Sequence, residues 1–168
     1  CGTGLLLLRL APACTQYVGS DFSQPALDFV QSQLARRDLP QVQLVRRLAD
    51  DFRGVAPRAF DAVVLNSIVQ YFPDVDYLLR VLEGAVEATA AGGFVFVGDV
   101  RNLRLLEAFH AAVQLHQSPP ARPIDEFRQR IRRELAEEEE LVIDPALFQR
   151  LPQHLPRISG VRVLLKRG

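Results

Sequence analysis

Apolar residues recur along this chain at two spacings, one suited to helices and one to strands. Gly4 to Ala11 reads as an apolar helix and Thr15 to Asp21 as a short strand. Ser23 can cap the helix that follows, Pro25 suits its first turn, and Leu27, Val30 and Leu34 keep helical spacing until about Arg37. Val42 to Arg46 is a second strand. Phe60 to Leu65 is a third, a continuous apolar run of the kind buried on both faces. Pro73 opens a further helix with Val75, Leu78, Leu79 and Leu82 inward, and Gly92-Gly93 is its expected stop. Phe94 to Val100 predicts another buried strand. Leu103, Leu106, Phe109 or His110, and Val113 then mark a helix face. Beyond a proline-rich break from Ser118 to Pro123, Ile124, Phe127, Ile131 and Leu135 define an amphipathic helix with an arginine-rich outer side. Asp144-Pro145 has the form of a cap and first residue of a short helix, and Val161 to Lys166 alternates as a closing strand.

Strand and helix alternate nearly throughout, which predicts an α/β fold: a mostly parallel sheet with helices on both faces, Rossmann-like in plan. The stretch 118–157 breaks the alternation and reads as a helical cap inserted over a ligand pocket. The chain opens on Cys1-Gly2-Thr3-Gly4 with no strand before it, although such a turn normally follows a buried strand. The expectation is a single domain, 1–168, cropped at both ends. The missing first strand would lie mid-sheet, between the strands ending at Asp21 and Asn66.

Composition narrows the function classes. The 168 residues suffice for one core, and 48% apolar with 24% charged residues is the profile of a globular protein. Twenty basic and twenty acidic residues leave no net field to draw the chain to nucleic acid or an anionic membrane, so neither is an expected partner. The apolar run Gly4–Leu10 is far too short to span a bilayer and lacks the flanks of a signal peptide. Nothing marks Cys1 and Cys14 as a pair, so a reducing, cytoplasmic setting is the default. Three scattered histidines make no metal site, and no Ser-His-Asp or Cys-His arrangement appears.

The residues that carry chemistry stand where strands end. Glycines at Gly2 and Gly4 let the backbone turn sharply beside a ligand. Asp21 closes the next strand, near the spacing at which an acid meets ribose hydroxyls. A dinucleotide turn needs a third small residue for helix packing, and Leu7 holds that place. S-adenosylmethionine has no phosphate and makes no such demand, so the turn favours it over NAD. Past the second strand, Asp50 can accept the adenine amino group and Phe52 can flank the ring. Asn66 and Tyr71 follow a buried strand, at the crevice where open α/β sheets bind ligands.

Together these segments resemble class I S-adenosylmethionine-dependent methyltransferases. The resemblance rests on Cys1-Gly2-Thr3-Gly4, Tyr17-Val18-Gly19-Ser20-Asp21-Phe22-Ser23, Ala49-Asp50-Asp51-Phe52 and Phe60-Asp61-Ala62-Val63-Val64-Leu65-Asn66-Ser67. Val69-Gln70-Tyr71-Phe72-Pro73, Gly98-Asp99-Val100-Arg101-Asn102, the stretch from Glu138 to Pro145 and Leu155-Pro156-Arg157-Ile158 narrow it to the methyltransferase domains embedded in nonribosomal peptide synthetases. The resemblance implies S-adenosyl-L-methionine as cofactor, with Gly2, Gly4, Asp21, Phe22, Asp50, Asp51, Phe52 and Asn66 around it. It also implies an aminoacyl or peptidyl substrate bound to a carrier protein, N-methylated beside adjacent synthetase domains. The family's first motif begins with a strand and an acid that this chain does not show.

Methyl transfer is an in-line displacement at a sulfonium, so alignment in a dry pocket supplies most of the rate. An amine acceptor must first lose a proton. Candidate bases are Glu139, Glu140, Asp144 and His110, while Tyr71 or Asn102 can orient the nucleophile. Each has a plainer reading. Asp144 suits a helix cap, Glu137 to Glu140 a solvated face, His110 a packed core and Arg101 an ion pair with Asp99. Acids at a helix C-terminus oppose its dipole, however, which points to another role or a break there. A free small-molecule O-, N- or C-methyltransferase, an inactive cofactor-binding scaffold and a nucleotide-binding oxidoreductase are the competing readings.

Overall fold

Parallel pairing is what the apolar strands build. The computed structural model describes residues 1–117 and 123–166. The chain divides into two units, Cys1–Gly54 and Val55–Gly168.

In the first unit, α1 (Leu7–Leu10) continues as a 3-10 turn over Ala11–Ala13. It is shorter than the apolar run, because Gly4 is left-handed before it (φ +78) and Pro12 tightens its end. Strand β1 (Tyr17–Asp21), helix α2 (Gln24–Leu34) and strand β2 (Val42–Arg46) form a βαβ unit, with Asp21 opposite Arg46 in a parallel ladder. Leu7, Val30 and Leu34 are its buried centre, flanked by Leu8, Tyr17, Leu39, Val42 and Leu44. Gly19 admits Leu7 to that centre, since a Cβ there would lie 2.7 Å from Leu7 Cδ1. The Ser23 hydroxyl accepts from Ala26 N at 3.4 Å and caps α2. Ser23→Ala should lower the unfolding free energy by about 1 kcal/mol, read as a shift in denaturant midpoint at constant slope.

In the second unit, β3 (Phe60–Asn66) and β4 (Thr89–Gly98) run parallel, in register from Ala62 opposite Phe94 to Asn66 opposite Gly98. Helix α3 (Val75–Ala88) joins them. Asp74 caps it by accepting from Tyr77 N at 2.7 Å, and Leu78, Val81, Leu82, Ala85 and Ala88 form its buried stripe. The helix stops at Ala88, four residues short of the expected glycine pair. The Thr89 hydroxyl donates back to Ala85 O, and the chain has already entered β4. Gly92 is left-handed there, and Gly93 passes so close to Asp61 O that a Cβ would lie 2.5 Å from it.

The two strands are not buried on both faces. Leu65 is buried, but Val64, Phe94 and Phe96 are exposed, and within this unit α3 is the helix that packs on the pair. β4 also ends earlier than Val100, because Asp99 turns left-handed (φ +58). The ladder resumes as β5 (Arg101–Asn102) against β6 (Val142–Ile143). Among the described residues β1 pairs with β2 alone and β3 with β4 alone.

Helix α4 (Leu106–Gln117) packs on α5 (Ile124–Ala136). Its inward positions are Leu106, His110 and Gln114; His110 is 7% exposed and Phe109 46%. The proline-rich break, except Pro123, lies outside the described residues. α5 ends at Ala136, so Glu138, Glu139 and Glu140 follow the helix instead of continuing a charged face. Helix α6 (Pro145–His154) completes the unit. Val161 to Lys166 forms no strand: these residues have no ladder partner, and Val161, Val163, Leu164 and Leu165 are exposed. Among the described residues no helix is long and apolar enough to cross a membrane.

Candidate functional site

Three groups of polar side chains stand at strand ends, one in the first unit and two in the second. In the first unit Gly2 (φ +53) and Gly4 make the opening turn, closed by Gly4 N donating to Cys1 O at 3.0 Å. A Cβ at Gly2 would meet nothing within 4 Å, so this turn presents bare backbone to its surroundings. Asp21 lies against it. Its Oδ2 accepts from Gly2 N at 2.7 Å and from the Cys1 amino group at 2.9 Å, and its Oδ1 from Ser23 N at 2.9 Å. Burial pushes the Asp21 carboxyl up, and the Ser23 N–H and the Gly2 N–H pull it down. Phe22 is exposed beside it. Asp50, Asp51 and Phe52 are half-buried after β2. Asp51 is engaged locally by Arg53, whose Nε and Nη2 each approach it at 2.8 Å, and this hydrogen-bonded pairing holds its carboxyl far below the usual range.

The second group closes the β3–β4 ladder. Ser67 (φ +56) and Asp99 (φ +58) are both left-handed without being glycine, an unfavourable backbone that recurs at functional sites. The Ser67 hydroxyl donates to Asp99 Oδ2 at 2.5 Å, and the Asn66 amide donates to the same oxygen at 3.3 Å and to Ser67 Oγ at 2.9 Å. Lys166 Nζ donates to Asp99 Oδ1 at 2.5 Å. Lys166 first, then Ser67, hold the Asp99 carboxyl below its ordinary value. Gly98 is required here, because a Cβ would overlap Asn66 Oδ1.

The third group centres on Arg101, which pairs not with Asp99 but with the acids beyond α5. Its Nη2 donates to Glu138 Oε2 at 3.0 Å. Its Nε lies 2.7 Å from Glu140 Oε2 without hydrogen-bond geometry, so that contact is ionic only. Its guanidinium stacks 4.4 Å from the centre of the Phe109 ring. His110 Nε2 lies 3.2 Å from Glu138 Oε2, and Glu140 N donates to Glu138 Oε1 at 3.1 Å. Burial raises the Glu138 carboxyl, but the Glu140 N–H, the Arg101 charge and the His110 contact bring it below its ordinary value. Gln70 O accepts from Leu141 N at 2.8 Å, which ties the turn after β3 to this group, while Gln70 Oε1 is buried without a hydrogen-bond partner among the described residues.

The remaining candidates lie around this third group. Asp144 is a cap: Ala146 N donates to Oδ1 at 2.8 Å, and Arg104 Nε donates to Oδ2 at 3.0 Å. Asn102 Oδ1 accepts from Arg104 N at 3.0 Å and caps the 3-10 turn Leu103–Leu105. Tyr71 is 73% exposed, and Glu139 is exposed. Sequence reasoning passed over Glu138, although its side chain is only 9% exposed. Four consecutive acids give no internal sign of which one turns inward; the usable signal was their place at a helix C-terminus, where a break was expected.

A family profile described as "Methyltransferase domain" matches residues 1–95, more than half of the chain. The chain belongs to the methyltransferase-domain family. This methyltransferase is 47% identical over 168 residues to chondramide synthase cmdD of Chondromyces crocatus, covering 99% of the chain and 4% of that protein. It is 40% identical over 167 residues to CymA of Salinispora arenicola, named a probable non-canonical nonribosomal peptide synthetase, covering 99% of the chain and 2% of that protein. The beauvericin nonribosomal cyclodepsipeptide synthetase of Beauveria bassiana is 33% identical over 170 residues, with 98% and 5% covered. The methyltransferase thus spans a few per cent of these curated relatives. Among solved structures, an S-adenosylmethionine-dependent methyltransferase from Clostridium acetobutylicum has a TM-score of 0.58 at 22% identity, covering 65% of this chain and 43% of that one. The N-methyltransferase NodS from Bradyrhizobium japonicum has a TM-score of 0.54 at 20% identity, covering 62% and 57%. These two share the Rossmann-like α/β fold.

Proposed function

We propose that this methyltransferase uses S-adenosyl-L-methionine to N-methylate an aminoacyl or peptidyl thioester held on a carrier protein, beside adjacent domains of a nonribosomal peptide synthetase. The observation that carries the reading is the near-complete match of the chain, at 47% identity, to a few per cent of a synthase. The residues present fit the cofactor. Gly2 offers open backbone, Gly4 turns left-handed against Val30, Asp21 is an acid at a strand end, and Leu7 stands where a dinucleotide turn needs a small residue. Gly2, Gly4, Asp21, Phe22, Asp50, Asp51 and Phe52, all in the first unit, would hold it. When bound, it supplies an electrophilic methyl group on a sulfonium. Asp21 would accept from the ribose hydroxyls, and Asp50 from the adenine amino group. The full-length protein containing this chain should transfer one methyl group to a carrier-bound aminoacyl thioester, read by mass spectrometry of the carrier. In calorimetry it should bind S-adenosylmethionine or its demethylated product and not NAD. Methylation of the free acid as readily as the thioester would turn the reading to a free small-molecule methyltransferase. Cofactor binding without turnover would turn it to a scaffold domain. NAD binding with no response to either sulfur nucleoside would sink it.

A further inference from the structure

The third side-chain group is more ordered than a solvated acid run requires. Arg101, Glu138, Glu140 and His110 come from β5, from the segment after α5 and from α4, and they converge on one carboxylate. Glu138 Oε2 receives both Arg101 Nη2 and His110 Nε2, while Oε1 is filled by the Glu140 N–H. A carboxylate beside a guanidinium is ionised and can only accept, so His110 Nε2 must carry the proton of that contact. This fixes the tautomer of neutral His110: the lone pair is on Nδ1, which makes no hydrogen bond among the described residues. By contrast Asp144 is committed to a helix cap and to Arg104, and Glu140 to Arg101.

We propose that Glu138 and His110 act as one proton-accepting pair for the acceptor nitrogen, with Glu138 as the positioning residue and His110 Nδ1 as the base. The inference rests on the acceptor being an amine, as proposed above. The step is a proton transfer. An N–H bond of the acceptor ammonium breaks, its electron pair stays on nitrogen, and the proton moves to Nδ1. The resulting imidazolium is stabilised by the Glu138 carboxylate and then gives its proton to water. Arg101 keeps Glu138 ionised, and Glu140 offsets the guanidinium charge. The pair, not the exposed acids, thereby supplies the free amine.

The test uses the full-length protein, a carrier-bound aminoacyl thioester and S-adenosylhomocysteine as the binding probe. His110→Asn and Glu138→Gln should each lower kcat by about tenfold or more, with affinity for S-adenosylhomocysteine unchanged, and Glu138→Asp should recover part of the loss. That recovery is a readout that a packing role would not move, since glutamine keeps the size of Glu138 and aspartate keeps its charge. Either variant turning over at the parental rate would overturn the pairing, as would a Glu138→Asp no faster than Glu138→Gln. Should Glu138→Gln lose probe binding, His110→Asn decides, because it leaves the Arg101–Glu138 contact in place. A parent protein that methylates no thioester fails the proposed function instead, and is thereby distinguished.

Discussion

Asp21→Ala is expected to weaken binding of S-adenosylmethionine, or of its demethylated product, by roughly ten- to a hundredfold, equivalent to about 1.5–3 kcal/mol. The size follows from the proposed role, in which Asp21 would accept charge-assisted hydrogen bonds from two ribose hydroxyls. The Ser23 N–H and the Gly2 N–H both favour the ionised carboxylate. The structure adds a second route to the same loss. Asp21 Oδ2 also pins the Gly2 N–H, so its removal loosens the turn that would pass the proposed cofactor. Both routes act on binding and leave the β1–β2 ladder untouched, because Asp21 is its last residue. Titration calorimetry on the full-length protein reads the affinity, and circular dichroism checks the fold. Unchanged affinity with an unchanged spectrum would reduce Asp21 to a loop acid.

Arg101→Met is expected to cost about 1–3 kcal/mol of stability near neutral pH. Methionine keeps much of the stem but removes the guanidinium that lies over Phe109 and contacts Glu138 and Glu140. The figure sits below that of a fully buried pair, because Arg101 is 24% exposed and water screens part of the effect. Its pH dependence has a definite sign. The folded state holds the Glu138 carboxyl below its ordinary value, so this carboxylate adds stability above the ordinary glutamate range and loses it as pH falls through the folded value. Without Arg101 a principal cause of that depression is gone. The gap between parent and variant should therefore be widest near pH 7 and narrow below about pH 4, as pH falls through the lowered folded value. Denaturant midpoints at both pH values measure it. An equal gap at both would mean that Arg101 acts through packing alone.

Much of the fold was legible because local signals and packing agreed. Ser23 and Asp144 cap the helices expected of them, and Val42 to Arg46 is a strand at its expected bounds. Elements missed their bounds where the deciding force was not local. Gly92-Gly93 has the form of a helix stop, but a threonine hydroxyl ended α3 sooner and the glycines served the strand. Val161 to Lys166 has strand alternation, yet alternation makes a strand only beside a neighbour whose backbone it can pair with. Asp21 and Asn66 could be placed at strand ends from the pattern alone. The acids after α5 could not be sorted so, because which of Glu138, Glu139 and Glu140 turns inward depends on Arg101, 37 residues earlier in the chain than Glu138. The backbone of Asp99 was equally hidden, since nothing in the residue type announces a left-handed conformation.

The irregular start of the β3–β4 ladder bears on how length variation can be tolerated. Between the pairs Phe60–Thr89 and Ala62–Phe94 the second strand spends more residues than the first, and the surplus lies in the small residues Ala90, Ala91, Gly92 and Gly93. A residue gained or lost there changes the size of a bulge and leaves Asn66 facing Gly98. The same change after Gly98 would rotate Asp99 and Arg101 away from Ser67 and Glu138 together. Homologous chains are thus free to differ in length at one end of this strand and held to a fixed count at the other.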